Sequence, residues 1–469
     1  MSGFQPRDLL RRKPVGASEA HAAPLHRAMG VLHLTMLGVG GTIGTGIFVA
    51  LTAAVPRAGP AVIVSFLIAG VTAALTALCY AELSSVLPES GSSYAYAYAT
   101  LGELAAFMIG ACVLLEYAVS GSAVAVGWGQ YLNELLVDLT GRGLPDAIAQ
   151  PPGHGGYFNL PAVVLVGACM ILLLRGVRES AMVNTILVFA KLAVLAMFAV
   201  IAFAAFQPRH LSPFAPKGIG GVGAAASTVF FSYIGLDVVS TAGGEARDPQ
   251  RTLPLAIILA LVIVTGAYLL VATAAVGAQP WTEFAGQDAG LAVILRHITG
   301  QAWPSIVLSL GAIVSTFSVT LVIIYGQTRI LYAMSRDGLL PPVMRKVHAK
   351  SQAPALNTMI VSAAIALLAA FFPLDVLVNL TSLGTLAAFA VVSLGVIVLR
   401  RTRPDLPRQY SAPLYPVLPA ASVAFCLYLI VGLPWTTHLM FVVWLSAAAI
   451  FYFAYSHKRA VLAASPAAG

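Results

Sequence analysis

Long apolar segments follow one another along almost the whole chain, and they decide what it can fold into. Of the 469 residues, 59% are hydrophobic and 9% are charged, whereas a soluble globular domain carries about 25% charged residues. Apolar segments of about 17–25 residues match the hydrocarbon thickness of a bilayer when they are helical. The sequence therefore predicts an all-α polytopic membrane protein and excludes a soluble globular fold.

Twelve such segments are predicted to be transmembrane helices. They cover residues 31–55, 59–87, 101–137, 160–175, 182–206, 220–243, 253–278, 302–335, 356–372, 375–399, 414–433 and 437–456. With the N-terminus inside, 19 of the 26 Lys and Arg residues fall in cytoplasmic segments and 5 in outer loops, while Lys191 and Arg329 lie within spans. Short cytoplasmic loops carry such an excess. We therefore expect a cell (inner) membrane protein with both termini cytoplasmic, and the net charge of +8 requires no nucleic-acid partner.

The first apolar segment contains a run that should interrupt its helix. Residues 40–48 read Gly-Gly-Thr-Ile-Gly-Thr-Gly-Ile-Phe, and each glycine inside a helix costs about 1 kcal/mol relative to alanine. Unpaired backbone at membrane depth is tolerated only where it lines a cavity or lies buried in protein. Because a broken helix exposes N–H groups that can hold a carboxylate, the run predicts a transporter site for a small zwitterion.

A second interruption falls in the sixth predicted span, where residues 230–237 read Phe-Phe-Ser-Tyr-Ile-Gly-Leu-Asp. If spans 1–5 and 6–10 are two repeats, the interrupted spans are the first members of each. An odd number of spans inverts the second copy, and paired interruptions mark the midplane site of many transporters. The alternative is a pair of glycine-rich helix contacts without a ligand.

Four longer motifs occur in the order expected for one family. They are Gly44-Thr45-Gly46-Ile47-Phe48, Tyr80-Ala81-Glu82-Leu83 with Pro88-Glu89-Ser90-Gly91-Ser92-Ser93-Tyr94, Gly244-Glu245-Ala246-Arg247-Asp248-Pro249, and Gly326-Gln327-Thr328-Arg329 with Asp337-Gly338-Leu339-Leu340-Pro341. Together they resemble the amino acid–polyamine–organocation superfamily, most closely bacterial members of its cationic amino acid transporter branch.

The resemblance implies a leucine-transporter-type 5+5 inverted repeat in which helices 1 and 6 are broken. The repeats would cover residues 30–206 and 219–400, with two peripheral helices within 413–456. Residues 1–29 and 457–469 would be cytoplasmic tails. The hydrophilic connection at 279–301 is expected to hold a short helix over 281–296 that acts as an outer lid.

In such folds the amides of the first break bind the substrate carboxylate. The resemblance thus assigns this role to Gly44, Thr45 and Gly46, with the Thr45 hydroxyl as a further donor. The positive end of a half-helix would favour the anion. Glycine suits the break because a Cβ would block close approach of a ligand to the backbone.

The substrate ammonium needs oxygen acceptors, and an unwound segment offers unpaired carbonyls. By resemblance these come from Thr42, Phe231 and Ile234. An aromatic ring at the second break, Phe230 or Phe231, is expected to close over the substrate as a gate. The alternative is that these rings face lipid or pack in the core.

Lys191 lies deep in the fifth predicted span, where an unpaired charge costs at least about 2.5–3.5 kcal/mol. It should therefore face the bundle interior. The resemblance suggests that its ammonium takes the place of a coupling cation between helices 1 and 8 and releases its proton during the cycle, with Ser315 and Thr316 accepting its hydrogen bonds. The alternative is a permanently charged lysine bound to helix-end carbonyls.

Two further side chains are candidates for the substrate cavity. Glu116, in the third span, would by resemblance lie near substrate and the proton path; the alternative is a protonated glutamate bonded to a neighbouring helix. Ile323, in the eighth span, is a candidate size filter. If it projects into the pocket, alanine-sized substrates should fit better than arginine.

These observations favour proton-coupled import of small neutral L-amino acids such as alanine, with a broad or cationic range left open. An exchanger or facilitator on the same fold is the alternative, since the site does not define coupling. A membrane receptor or enzyme is disfavoured, because the histidines are scattered and neither tail could hold a signalling domain. Transport of this kind needs no cofactor or metal, and a small single-helix membrane partner remains open.

Overall fold

The computed structural model describes residues 11, 29–44, 46–87, 92–176, 181–235, 238–241, 246–346 and 354–460. Thr45, Asp237 and most of the motif at 88–94 lie outside the described residues. Within these ranges the chain is almost entirely helical, and its one β-type contact is an isolated bridge between Met29 and Ala246.

Seventeen α-helices are present in the described ranges. They are α1 (Val31–Thr42), α2 (Leu51–Ala58), α3 (Val62–Val86), α4 (Ser92–Thr100), α5 (Glu103–Thr140), α6 (Asp146–Ala149), α7 (Leu160–Leu174), α8 (Ala181–Ala204), α9 (Gly218–Val229), α10 (Val238–Thr241), α11 (Pro249–Ala278), α12 (Gly290–Thr299), α13 (Ala302–Arg336), α14 (Ala355–Phe371), α15 (Leu374–Thr402), α16 (Val417–Val431) and α17 (Trp435–Ala454). A π-helical turn covers Gly46–Ala50, and 3₁₀ turns cover Gly59–Ala61, Pro208–Leu211, Phe230–Tyr233, Trp281–Phe284, Pro342–Arg345 and Ser456–Lys458.

Eight helical stretches in the described part of the chain are long and apolar enough to cross a membrane. They are Val31–Val86, which contains the first break, Glu103–Thr140, Met182–Ala204, Gly218–Ser240, Pro249–Ala278, Ala302–Arg336, Leu374–Thr402 and Trp435–Lys458. Shorter apolar helices cover Leu160–Leu174, Gly290–Thr299, Ala355–Phe371 and Val417–Val431. The chain is thus a polytopic membrane protein, and each predicted apolar segment lies on helix.

The long helix α5 lies at the centre of the bundle. It packs against α13, α15, α14 and α7, while α3 packs against α11 and α9. In contrast, only 11% of the most apolar part of Trp435–Lys458 is buried inside the protein. Because apolar side chains on such a helix are unfavourable in water, this outer surface of α17 is suited to contact lipid.

A buried ion pair joins α3 to α15 and to the loop that follows α15. Glu82 is 1% exposed and accepts hydrogen bonds from Arg400 Nε at 2.7 Å and Nη2 at 2.6 Å. The N–H of Ala412 donates to the same carboxylate at 2.8 Å, and Arg408 Nε lies 3.6 Å from it. This bidentate geometry is the strong form of an Arg–carboxylate contact.

The hydrophilic connection after α11 differs from its prediction. Instead of one helix over 281–296, it forms the 3₁₀ turn Trp281–Phe284 followed by α12. Gly286 and Ala289 have φ angles of +77° and +50°, and a left-handed residue cannot continue a right-handed helix. From here on α12 is called the lid helix, after the role predicted for this connection. The short helix α4 was not predicted from the sequence either.

Candidate functional site

The first break interrupts the chain between α1 and α2. Helix α1 ends at Thr42, and Ile43 leaves the helical region with ψ of 87°. The N–H of Gly44 donates to the Thr42 carbonyl at 2.9 Å, after which the π-helical turn begins at Gly46. The first N–H groups of a helical segment lack acceptors within it. Backbone donors are therefore concentrated here, as the glycine-rich run predicts.

The second break follows α9. The 3₁₀ turn Phe230–Tyr233 ends in Ile234, whose backbone is extended with φ of −67° and ψ of 144°. Gly235 then takes φ of +93°, a region that only glycine adopts readily. The N–H of Ile234 donates to the Phe231 carbonyl at 3.3 Å. This segment is thus irregular backbone buried in the protein.

The two breaks touch each other through their backbones. A Cβ placed on Gly235 would lie 2.5 Å from the carbonyl oxygen of Gly41, and one placed on Gly46 would lie 2.4 Å from the Cα of Ser232. Neither distance is possible for real atoms without a shift of the backbone. Glycine is required at both positions because the two interrupted segments approach so closely.

A tyrosine outside the sequence motifs joins the breaks. Tyr268 on α11 is fully buried, and its hydroxyl lies 2.8 Å from the Thr42 carbonyl and 2.7 Å from the Ser232 carbonyl. A phenol has one proton to donate, so the two carbonyls share it or compete for it. The only sequence signal was a hydroxyl in the middle of an apolar helix, where it needs a partner.

Lys191 reaches the last turn of α1. It is 3% exposed, and its Nζ donates to the Gly40 carbonyl at 3.0 Å. A Cβ on Gly40 would lie 2.7 Å from Asn184 Oδ1 and 2.9 Å from Val188 Cγ2. The glycine therefore allows α8 to approach closely enough for the lysine to bind the helix end.

The two residues predicted as lysine partners lie on α13, and Ser315 reaches the same break. Ser315 Oγ donates to the Ile43 carbonyl at 3.4 Å, and Thr316 Oγ1 donates to the Ala312 carbonyl of its own helix at 2.7 Å. Carbonyls at the end of α1, at Gly40, Thr42 and Ile43, thus accept side-chain donors from α8, α11 and α13. Every helix C-terminus leaves carbonyls without a partner in the helix, and here side chains of three other helices donate to them.

The two candidate gate rings face different surroundings. Phe230 is fully buried and packs edge-on against Phe389 of α15, with ring centroids 5.8 Å apart. Phe231 is 5% exposed and belongs to an apolar cluster with residues of α5 and α13. That cluster includes Leu115, Val119, Leu321 and Ile324. Of the two rings, Phe231 is the one on the side of α5 and α13.

Ile323 of α13 and Glu116 of α5 each pack against a glycine of a neighbouring helix. Ile323 Cγ2 lies 3.1 Å from the position that a Cβ on Gly121 would take, so the α13 side chain fills the space that this glycine leaves. Glu116 is 3% exposed, and its Cβ lies 3.7 Å from the corresponding position on Gly384 of α15. A carboxylate this deeply buried is costly unless it is paired or protonated.

Sequence comparison with known proteins places this chain in a family. A family model described as "Amino acid permease" matches residues 29–455. The chain is 43% identical over 442 residues to the branched-chain amino acid permease BcaP of Bacillus subtilis, covering 93% of this chain and 95% of that protein. It is 41% identical over 459 residues to the methylthioribose transporter of Bacillus subtilis, covering 97% and 99% of the two chains.

A eukaryotic relative matches over a shorter part of its length. The vacuolar cationic amino acid transporter 2 of Arabidopsis thaliana is 37% identical over 411 residues, which are 85% of this chain and 64% of that protein. The resemblance read from the four sequence motifs is confirmed by these matches.

Proposed function

Because the chain belongs to the amino acid permease family of the amino acid–polyamine–organocation superfamily, we propose that it is a secondary active transporter that imports neutral L-amino acids with protons. The observation that carries this proposal is the backbone contact between the two breaks at Gly41 and Gly235. It brings backbone N–H and carbonyl groups that lie outside regular helix into one buried place, which is what an α-amino acid requires.

The proposal includes the fold in which such sites occur. Twelve spans arranged as a 5+5 inverted repeat would place α1 and α9 as the first helices of the repeats at 30–206 and 219–400. The contact between the two breaks that follow these helices supports this arrangement, because inverted repeats bring their broken helices together near the midplane. Both termini would be cytoplasmic, as the Lys and Arg distribution favours.

Substrate recognition would use the backbone of both breaks. The carboxylate would bind the N–H groups of Gly44, Thr45 and Gly46, and would displace the present bond from Gly44 to Thr42. The ammonium would bind carbonyls of Thr42, Phe231 and Ile234. The Thr42 carbonyl also lies 2.8 Å from the Tyr268 hydroxyl. The substrate ammonium would therefore compete for this carbonyl with a hydrogen bond that links the two breaks.

The side chain of the substrate would meet an apolar wall. Phe231, Leu321 and Ile324 belong to one buried cluster, and Ile323 would limit the length of the pocket. An alanine-sized or branched side chain suits this wall better than a cation does. The branched-chain substrate in the name of the Bacillus subtilis relative supports a neutral range that extends from alanine to valine or leucine.

Coupling would rest on Lys191. As an ammonium it binds the Gly40 carbonyl at 3.0 Å. Loss of its proton would weaken the hold of α8 on the end of α1 and so favour a different arrangement of the first break. Glu116 would assist by relaying the proton or by holding water near the substrate.

The test is uptake by the purified full-length protein in liposomes. With a proton gradient imposed, inside alkaline, we expect accumulation of L-alanine and L-valine, and less inhibition by excess L-arginine than by excess L-leucine. Methylthioribose should compete poorly because it has no α-ammonium or carboxylate. Uptake that ignores the gradient but requires internal amino acid would establish the exchanger alternative instead.

A further inference from the structure

Helix α8 is bound to α1 through a second side chain besides the lysine. Asn184 Nδ2 donates to the Met36 carbonyl at 3.2 Å, and Lys191 Nζ donates to the Gly40 carbonyl at 3.0 Å. The two donors are seven residues apart, which is about two helical turns, so they leave the same face of α8. Met36 and Gly40 are four residues apart and lie on one side of α1. The two hydrogen bonds therefore join the same pair of helix faces.

The two accepting carbonyls differ in their place within α1. The Met36 carbonyl lies inside the helix, where the N–H four residues on bonds to it, and its second lone pair is left for Asn184. For Gly40 the N–H four residues on is that of Gly44, which donates to the Thr42 carbonyl at 2.9 Å instead. The lysine thus binds a carbonyl at the broken end of α1, whereas the asparagine binds one within the intact helix.

Asn184 also packs directly against Gly40. A Cβ on Gly40 would lie 2.7 Å from Asn184 Oδ1 and 3.3 Å from Asn184 Nδ2, so the amide occupies the space that a larger residue would need. The asparagine is buried, and its position is set both by a hydrogen bond and by this packing contact. The side chain that binds Met36 therefore also fixes the residue whose carbonyl binds Lys191.

The two contacts respond differently to a proton. An asparagine amide has two N–H donors and does not titrate, whereas a lysine side chain can be an ammonium or an amine. Hydrogen bonds from an ionised donor are roughly twice as strong as those between neutral groups. Loss of the Lys191 proton would thus weaken the bond to Gly40 and leave the bond from Asn184 to Met36 in place.

We propose that Asn184 is a positioning residue that keeps α8 against α1 in both charge states of Lys191, so that the proton controls only the end of α1 at the first break. The inference rests on the proposed function, in which the lysine carries the coupled proton. Without the asparagine, α1 separates from α8 whether or not the lysine is charged. Movement of the break then no longer follows the proton.

The first test needs no substrate and so does not depend on the proposed function. Asn184→Leu keeps the branched shape of the side chain and removes the donor. In amide hydrogen exchange of the full-length protein, peptides that cover residues 36–44 should exchange about three- to tenfold faster, the equivalent of one lost hydrogen bond. The matched control is Asn357→Leu, because this buried asparagine of α14 donates to the Met344 carbonyl at 2.8 Å instead of to α1.

Hydrogen exchange over residues 36–44 that is unchanged in Asn184→Leu, or accelerated equally in Asn357→Leu, would overturn the proposal. The second test compares two activities of each variant in liposomes: L-alanine accumulation driven by a proton gradient, and exchange of internal for external L-alanine. Asn184→Leu should lower the accumulation about three- to tenfold and leave the amino acid exchange near that of the unaltered protein.

The ratio of the two activities separates positioning from a general structural role. A variant that is only less stable loses both activities together, so an equal loss of accumulation and amino acid exchange in Asn184→Leu would contradict the proposal. If Lys191→Ala retains proton-driven accumulation, or if the unaltered protein shows none, the proposed function fails. The hydrogen exchange of residues 36–44 still decides in that case whether Asn184 holds α1.

Discussion

Gly235 lies directly against the carbonyl of Gly41, so that a methyl group on Gly235 would be 2.5 Å from the Gly41 oxygen. This contact joins the two interrupted helices without any side chain. Around this contact, carbonyls of the two segments accept hydrogen bonds from two long side chains, those of Tyr268 and Lys191.

Gly235→Ala should therefore damage the site more than an ordinary glycine replacement. The φ angle of +93° costs an alanine about 1–2 kcal/mol, and the clash with Gly41 adds to this. We expect a lower melting temperature and at least about a tenfold loss of uptake, because close-packed backbone cannot move aside to relieve the clash.

Two controls accompany this variant. Gly153→Ala has a similar φ of +84° with nothing within 4 Å of its Cβ, and Gly266→Ala lies in a helix with open space around it. The first isolates the conformational strain, and the second should be neutral or slightly stabilising. A Gly235→Ala protein that behaves like Gly153→Ala would mean that the contact between the breaks is unimportant.

Replacement of Lys191 tests the coupling. Lys191→Ala removes the ammonium that binds the Gly40 carbonyl, and we expect uptake driven by a proton gradient to fall to background while exchange of internal for external amino acid persists. The measurement is L-alanine accumulation with and without an imposed gradient. Lys217→Ala, at an exposed position before α9, is the control, and proton-driven uptake retained by Lys191→Ala would rule out this residue as the proton carrier.

Shortening Ile323 should widen the substrate range. The side chain fills the space beside Gly121, so Ile323→Ala should increase the thermal stabilisation produced by L-leucine and L-methionine relative to that by L-alanine. Ligand binding raises apparent stability by mass action, which makes a thermal-shift screen suitable. Leu310→Ala on the exposed side of the same helix should leave the ranking unchanged, and identical rankings in both variants would exclude Ile323 as a size filter.

The ion pair between Glu82 and Arg400 predicts a large effect on stability. Arg400→Ala leaves a carboxylate that is 1% exposed without its bidentate partner, which costs about 3–5 kcal/mol for a buried pair. Arg403→Ala removes an exposed contact of 3.6 Å with Asp405, worth about 0–1 kcal/mol. Unfolding of the two variants should differ accordingly, and Glu82→Gln should restore part of the stability lost in Arg400→Ala.

The helices could be predicted from the sequence because their signal is local. A run of apolar residues long enough for a bilayer is visible without knowledge of its neighbours, and each predicted segment lies on helix. The breaks at residues 40–48 and 230–237 were equally visible, since glycine weakens a helix wherever its neighbours lie. The bounds of the lid helix were less predictable. The backbone of Ala289 is left-handed, and an alanine in the sequence does not indicate this conformation.

The partners of the breaks could not be predicted from the residues alone. Tyr268 and Tyr131 lie in apolar helices, at 36 and 83 positions from Ser232 and Phe48 whose carbonyls they contact. A hydroxyl at membrane depth indicates that a partner exists, but many carbonyls are equally suitable in sequence. Only the packing of α11 and α5 determines that these hydroxyls contact carbonyls at the breaks.

The sequence by itself determined the membrane-embedded helical class, the family and the two places where helices are interrupted, because apolar length and glycine act on the chain locally. Tertiary structure alone decided that Gly41 meets Gly235, that Lys191 binds Gly40 and that Tyr131 donates to the Phe48 carbonyl. These contacts depend on the distances between helices, and a difference of an ångström there separates a hydrogen bond from none.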